Sequence, residues 1–173
     1  VNGINLINPH AFYLSIEGFR KRDFPPSQFF QASYWEEYKS FADYIRRVSY
    51  VMSQGIHDPD VAVYYPILSL FANHDLGMFN STLNTIFNEL EYIHILLGMI
   101  HMDYDFLDEK MLEDTRVENG RMVLGSEEYK ALIIPCATTL SSSLVEKIQE
   151  IVDGGVKVVF TTWPVSYTHL TLP

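Results

Sequence analysis

Hydrophobic side chains follow two rhythms along this chain. Short apolar runs at Val61-Ala62-Val63-Tyr64-Tyr65, Ala131-Leu132-Ile133-Ile134 and, interrupted by one lysine, Val156-Lys157-Val158-Val159-Phe160 have the length and β-branched content of strands. Between them, apolar residues recur every three or four positions, the period of a helix that packs along one side. Leu83, Ile86, Phe87, Leu90, Ile93 and Leu97 share one face of a predicted helix from about Ser81 to Leu97. A second helix is predicted from about Leu144 to Val152, stopped by Gly154-Gly155. Tyr104 to Leu107 reads as a short strand or turn, and Asn119-Gly120 inside Arg116 to Leu124 is a two-residue hairpin signature. Strands alternating with helices predict an α/β fold with a mainly parallel, doubly wound sheet over residues 56–164.

The first third has a different pattern. A strand-like run, Ile4-Asn5-Leu6-Ile7, ends in the polar and aromatic cluster Pro9-His10-Ala11-Phe12-Tyr13. It opens into an irregular stretch carrying Arg20-Lys21-Arg22-Asp23-Phe24-Pro25-Pro26-Ser27. Ser33-Tyr34-Trp35-Glu36 has the form of a capping box, and Tyr38, Phe41, Ala42, Ile45, Val48 and Met52 follow at helical spacing before Gly55. Ile56-His57-Asp58-Pro59-Asp60 reads as a linker, so residues 1–55 form a unit separate from 56–164.

Composition narrows the classes of function. The chain has 173 residues, 47% of them hydrophobic, and a formal net charge of −10. That charge argues against a nucleic-acid partner, whose phosphates are held by clustered Lys and Arg. The one basic cluster, Arg20-Lys21-Arg22, is short and suits a loop that meets a ligand or a neighbouring carboxylate. No segment has the apolar length to span a bilayer; Ile93 to Met102 is interrupted by His94 and His101. A single cysteine permits no internal disulfide.

A glycine and asparagine before His10-Ala11-Phe12, the nearby Tyr13, and Arg22-Asp23-Phe24-Pro25-Pro26 in the loop resemble the last barrel strand of large bacterial glycoside hydrolases with a (β/α)8 catalytic domain. The relatives in view are the family 2-like enzymes, the family 42-like β-galactosidases and the family 106-like α-L-rhamnosidases. The resemblance implies that residues 1–55 are the last strand, loop and helix of such a barrel. Residues 56–164 are then the flavodoxin-like or glutamine-amidotransferase-like domain that follows it, with a structural role or a role in homo-oligomer contacts. The implied activity is hydrolysis of O-glycosidic bonds in oligo- or polysaccharides, with a carbohydrate substrate and no cofactor. The competing reading is a non-catalytic α/β interaction or oligomerisation module.

Barrel active sites lie at strand C-terminal ends, which places His10 to donate a hydrogen bond to a sugar hydroxyl; otherwise it is a core histidine bonded to backbone. Phe12 and Tyr13 form an aromatic platform for a sugar ring or simply pack. Arg22 and Asp23 form a loop-fixing ion pair or reach substrate. Glycosidases need two carboxyl groups, and the barrels in question carry theirs on earlier strands, so Glu17 is expected to be a bystander and the pair to lie upstream of Val1.

Three further features have a structural explanation. Cys136, in Pro135-Cys136-Ala137, lacks the flanking glycines of a nucleophile elbow and is expected as a small residue in a turn. Asp103, Asp105, Asp108 and Glu109 lack the glycine and terminal glutamate of a calcium loop. His94, expected on the apolar helix face, and His101 do not have zinc-site spacing, so no metal is expected. Val165 to Pro173 resembles a translated transposase-type sequencing adapter, and the chain reads as an internal piece of a larger, environmentally sampled bacterial gene.

Overall fold

The structure is a computed structural model that describes residues 4–22, 24–74 and 80–162. The chain divides into two compact units, Val1–Ile56 and His57–Pro173. The proposed adapter segment lies outside the described residues.

In the second unit, β1 (Val61–Tyr64) runs parallel to β2 (Tyr104–Leu107) on one side and to β6 (Ala131–Ile134) on the other. Strand β7 (Lys157–Phe160) pairs in parallel with β6, giving the order β2-β1-β6-β7. All four β1 residues are buried because neighbours flank it and both sheet faces are covered. Val61 and Val63 pack with Ile93 and Leu97 on one face. Ala62 and Tyr64 join Leu132, Leu144 and Ile151 on the other. A fully buried parallel strand has no polar face to show, which is why its sequence reads as an unbroken apolar run.

The connections are mostly helical. After β1 comes the short α2 (Ile67–Ala72) and then α3 (Ser81–Met99), capped by the Asn80 side chain, which accepts from the Leu83 N–H. Leu83, Ile86, Leu90, Ile93 and Leu97 are buried as expected, whereas Phe87 is 41% exposed and lies off that face. At its C-terminus the N–H groups of His101 and Met102 donate to the carbonyls of Gly98 and Leu97, with His101 at φ 56°. This is a Schellman stop. Helix α5 (Ser142–Asp153) ends the same way, with Gly155 at φ 86° and the Val156 N–H on the Ile151 carbonyl. Among the described residues, no helix is long and apolar enough to cross a membrane.

Between β2 and β6 the chain makes α4 (Glu109–Glu113) and a three-stranded antiparallel sheet of β3 (Arg116–Glu118), β4 (Arg121–Leu124) and β5 (Glu127–Tyr129). Asn119 and Gly120 both have positive φ, 52° and 75°, as a type I′ hairpin requires. The third strand, the Gly125-Ser126 turn before it, and helices α2 and α4 were not anticipated from the apolar pattern; each is a few residues long and carries too few apolar positions to show a period.

The first unit departs further from expectation. Residues 4–9 are not assigned as a strand. Strand backbone requires a ladder partner, and this unit has none among its described residues. Helix α1 (Tyr38–Met52) forms where the spacing predicts, but Ser33 does not cap it. Successive i→i+3 bonds from Ala32 to Phe29, Trp35 to Ala32 and Tyr38 to Trp35 lead into it instead. No α1 residue is buried, and Phe41, Tyr44, Tyr50 and Val51 are each at least half exposed.

Candidate functional site

The site residues expected from the sequence lie at the base and tip of one loop in the first unit. The backbone after His10 is tied to the far side of that loop: the Gln28 N–H donates to the Ala11 carbonyl at 2.9 Å, and the Tyr13 N–H to Ser27 Oγ at 3.2 Å. The Tyr13 hydroxyl donates to the Pro25 carbonyl at 2.9 Å. Gln31 Nε2 reaches the carbonyls of Tyr13 and Leu14 at 3.3 and 3.4 Å, while its Oε1 is buried without a partner. Gln31 was missed in the sequence because a lone amide gives no periodic signal. The His10–Ala11 and Phe24–Pro25 peptide bonds are cis.

Above this base the chain makes a short 3₁₀ turn, Gly18–Arg22, entered at Gly18 with φ 61°. Arg20, Lys21 and Arg22 are exposed there, as is Glu17. Asp23, the expected partner of Arg22, lies outside the described residues. His10 is exposed beside the loop base, so its ring is open to a ligand or to solvent. Phe12 meets Phe29, Trp35 and Tyr38 edge-on, with centroids 5.7, 6.5 and 5.7 Å away, and Trp35 stacks on Tyr38 at 5.4 Å. Phe12 is therefore anchored by packing, and 40% of its surface remains exposed. The loop thus presents one imidazole, one half-buried phenol, one aromatic edge and three cations.

The second unit offers a different candidate. In doubly wound sheets, ligands bind beyond the strand C-termini where the order reverses, here between β1 and β6. Helix α2 and the loop after β6, which line this crevice, are stitched together. The buried Ser69 Oγ accepts from the N–H groups of Thr138 and Thr139 and donates to the Thr139 carbonyl, each at 3.0 Å. Asn73 Nδ2 adds bonds to the Ser69 carbonyl at 2.7 Å and Thr138 Oγ1 at 2.8 Å. Cys136 lies beside them, buried against Ile86 and Leu90, an apolar setting for a small side chain. The N-terminus of α5 already has a carboxylate: Glu109 accepts from the Ser141 N–H and hydroxyl.

The four acidic residues near β2 have separate duties. Asp103 Oδ2 lies 3.1 Å from His57 Nε2, and Asp105 Oδ2 accepts from the Tyr129 hydroxyl at 2.9 Å and lies 3.6 Å from His57 Nδ1. Asp108 caps α4 through the Met111 N–H. His94 is exposed, not on the apolar face, and its Nδ1 is 2.5 Å from the Tyr104 hydroxyl. Its position beside Ile93 puts it one step round the helix from the buried stripe, enough to reach solvent. Burial, with the Asp103 charge, pushes the Tyr104 phenol above its usual pKa.

Comparison with known proteins adds an independent line. A glycoside hydrolase family 106 model, described as alpha-L-rhamnosidase, matches residues 24–168. That match takes in helix α1 and the described part of the second unit, and begins just after His10, Tyr13 and the basic turn. A Formosa agariphila protein named "Putative beta-glucuronidase" is 27% identical over 128 residues, 73% of this chain. The chain spans about a tenth of that relative's length, since the aligned stretch covers 10% of it. No solved structure matches the chain.

Proposed function

Because the chain belongs to glycoside hydrolase family 106, the alpha-L-rhamnosidase family, we propose that it is part of an enzyme that hydrolyses O-glycosidic bonds in oligo- or polysaccharides and releases an α-L-rhamnosyl unit. The family match from residue 24 to residue 168 carries this reading. In it, the first unit is the last strand position, loop and helix of a (β/α)8 catalytic domain, and the second is the flavodoxin-like domain that follows. Two observations support the arrangement. Among the described residues of their unit, the apolar residues of α1 have no layer that buries them, as expected of a helix whose barrel neighbours lie elsewhere in the polypeptide. The parallel sheet with helices on both faces has the architecture that the second domain requires.

Glycoside hydrolysis needs one carboxyl group to protonate the leaving oxygen and another to act as nucleophile or base. Both belong to earlier barrel strands in this reading, so the residues here bind and orient. His10 donates to a sugar hydroxyl, Tyr13 and Phe12 line the ring, and Arg22 and Asp23 complete the rim. In the full-length enzyme His10→Ala should lower kcat/KM by roughly 5- to 150-fold, the loss of about 1–3 kcal/mol of one transition-state hydrogen bond, with thermal stability unchanged. Unchanged kinetics with lost stability would make His10 a structural residue. The 173-residue chain alone should release no nitrophenol from p-nitrophenyl α-L-rhamnoside; turnover would place the carboxyl pair within it.

A further inference from the structure

We propose that a second copy of this chain docks on the outer face of helix α3, antiparallel to it, so that the second unit pairs with itself there. Helix α3 carries two apolar stripes. Leu83, Ile86, Leu90, Ile93 and Leu97 are buried within their own unit. Tyr92, Ile95, Leu96 and Met99 follow the spacing i, i+3, i+4, i+7 on the far side of the helix, and all four are exposed. A surface helix needs only one apolar stripe, so a helix that is apolar on both sides is one built to be covered on both. Ile100 and Met102, exposed just past the helix end, widen the outer patch.

Size and charge identify the occupant. The exposed surface of these six residues comes to roughly 700 Å², above what a monomer ordinarily leaves bare in one patch and near the 800 Å² or so that each partner of a stable pair covers. The rows Tyr92–Leu96 and Ile95–Met99 are i, i+4 ridges, which fit the grooves between the same ridges on an identical helix. The partner that carries a matching stripe by construction is a second copy. A two-fold axis passing by Ile95 and Leu96 sets Tyr92 of one copy against Met99 of the other. N-terminal to Tyr92 the same side of the helix carries Thr85, Asn88 and Glu89, so the contact is confined to the last two turns. Charge then fixes the direction. Helix α3 has two carboxylates, Glu89 and Glu91, and no lysine or arginine. A parallel pair would hold these carboxylates alongside their counterparts, whereas the antiparallel one separates each from its own copy by roughly 13–20 Å at 1.5 Å per residue, beyond the Debye length of about 8 Å at physiological salt.

Sedimentation of the 173-residue chain at concentrations from about 1 to 100 μM should show a monomer–dimer equilibrium, the range in which a surface of this size associates. Ile95→Glu/Met99→Glu should weaken dimerisation by about 100-fold or more, since it puts charge at the centre of the contact. Its far-ultraviolet circular dichroism should stay that of the wild type, because both positions face solvent in the single chain. Ile95→Leu/Met99→Leu should keep the dimer. Direction is read by cross-linking under mild oxidant, with the wild-type chain as baseline because its one cysteine, Cys136, is buried. Ile95→Cys, close to the two-fold axis, should join to its counterpart, and Thr85→Cys, roughly 30 Å from its own in the antiparallel pair, should not. A monomer throughout the concentration range, or a dimer that survives Ile95→Glu/Met99→Glu, would overturn the proposal. Cross-linking at Thr85→Cys and not at Ile95→Cys would overturn the antiparallel arrangement.

Discussion

Helices α1 and α5 have the same apolar period but differ in what covers them. In α5, Leu144, Ile148 and Ile151 are buried against a four-stranded sheet. In α1, Ile45 and Val48 are only partly covered and no residue is buried. A periodic stripe therefore specifies that a helix will form and which side it would bury, but burial itself depends on a partner layer. The second unit supplies that layer from within, through a sheet whose alternate residues feed two separate clusters. The described residues of the first supply a cluster of aromatic rings around Phe12, Phe29 and Trp35. Most of the chain's stability should accordingly reside in the second unit.

Core truncation should break the comparison most visibly. Leu132 is fully buried in β6, and Leu132→Ala should cost roughly 2–5 kcal/mol, the lost transfer energy plus the cavity left behind. Ile45→Ala in α1 should cost less than about 1 kcal/mol, because a partly covered site has less to lose. Urea unfolding of the two variants measures both, and equal losses would mean that α1 is covered after all.

A smaller effect is expected at the junction of α5 and the hairpin. Gly154 has an ordinary backbone conformation, but a Cβ there would meet Val117 Cγ1, approach Val117 Cβ to 3.0 Å and the Glu150 carbonyl to 3.2 Å. Gly154→Ala should therefore destabilise by about 1–3 kcal/mol through overpacking. Val117→Ala in the same chain should restore part of the loss, which a backbone explanation would not predict.

Two buried phenols sharpen the picture further. Tyr129 donates to Asp105, so Tyr129→Phe should cost about 1 kcal/mol. The Tyr64 hydroxyl is buried without a partner, and Tyr64→Phe should leave stability equal or higher. Burial raises both phenol pKa values; the charges of Glu109 and Asp108 add at Tyr64, and the bond to Asp105 adds at Tyr129. An unfolded tyrosine ionises near pH 10. Above about that pH the unfolded chain releases protons that the folded one retains, so stability is full below it and falls as pH rises. Each phenylalanine variant should flatten that fall in a melting series taken at alkaline pH.

Strands β1 and β6 and the two long helices of the second unit were legible because a strand flanked on both sides in the sheet and a helix buried on one face leave clear apolar runs. Asn119-Gly120 was legible for a local reason, since few other pairs accept two positive φ values. Helices α2 and α4 were not, being held by tertiary contacts such as the Ser69 and Glu109 side-chain bonds. His94 was misplaced because one residue of offset on a helix, about 100°, separates a buried stripe from solvent. At the candidate site, the sequence marked His10, Phe12, Tyr13 and Arg22 by type and order but not what ties them together. The Gln31 amide and the Ser27 hydroxyl that fix the loop base carry no pattern of their own.

Hydrogen exchange of the intact 173-residue chain tests the contrast between the units most directly. Amides of β1 and β6, buried and paired on both sides, should exchange only through global unfolding of the second unit. Amides of α1 should exchange orders of magnitude faster, at the level of a helix held by few buried contacts. Protection of α1 equal to that of β1 and β6 would contradict the account, because it would require a covering layer for α1 that the described residues of this unit do not supply.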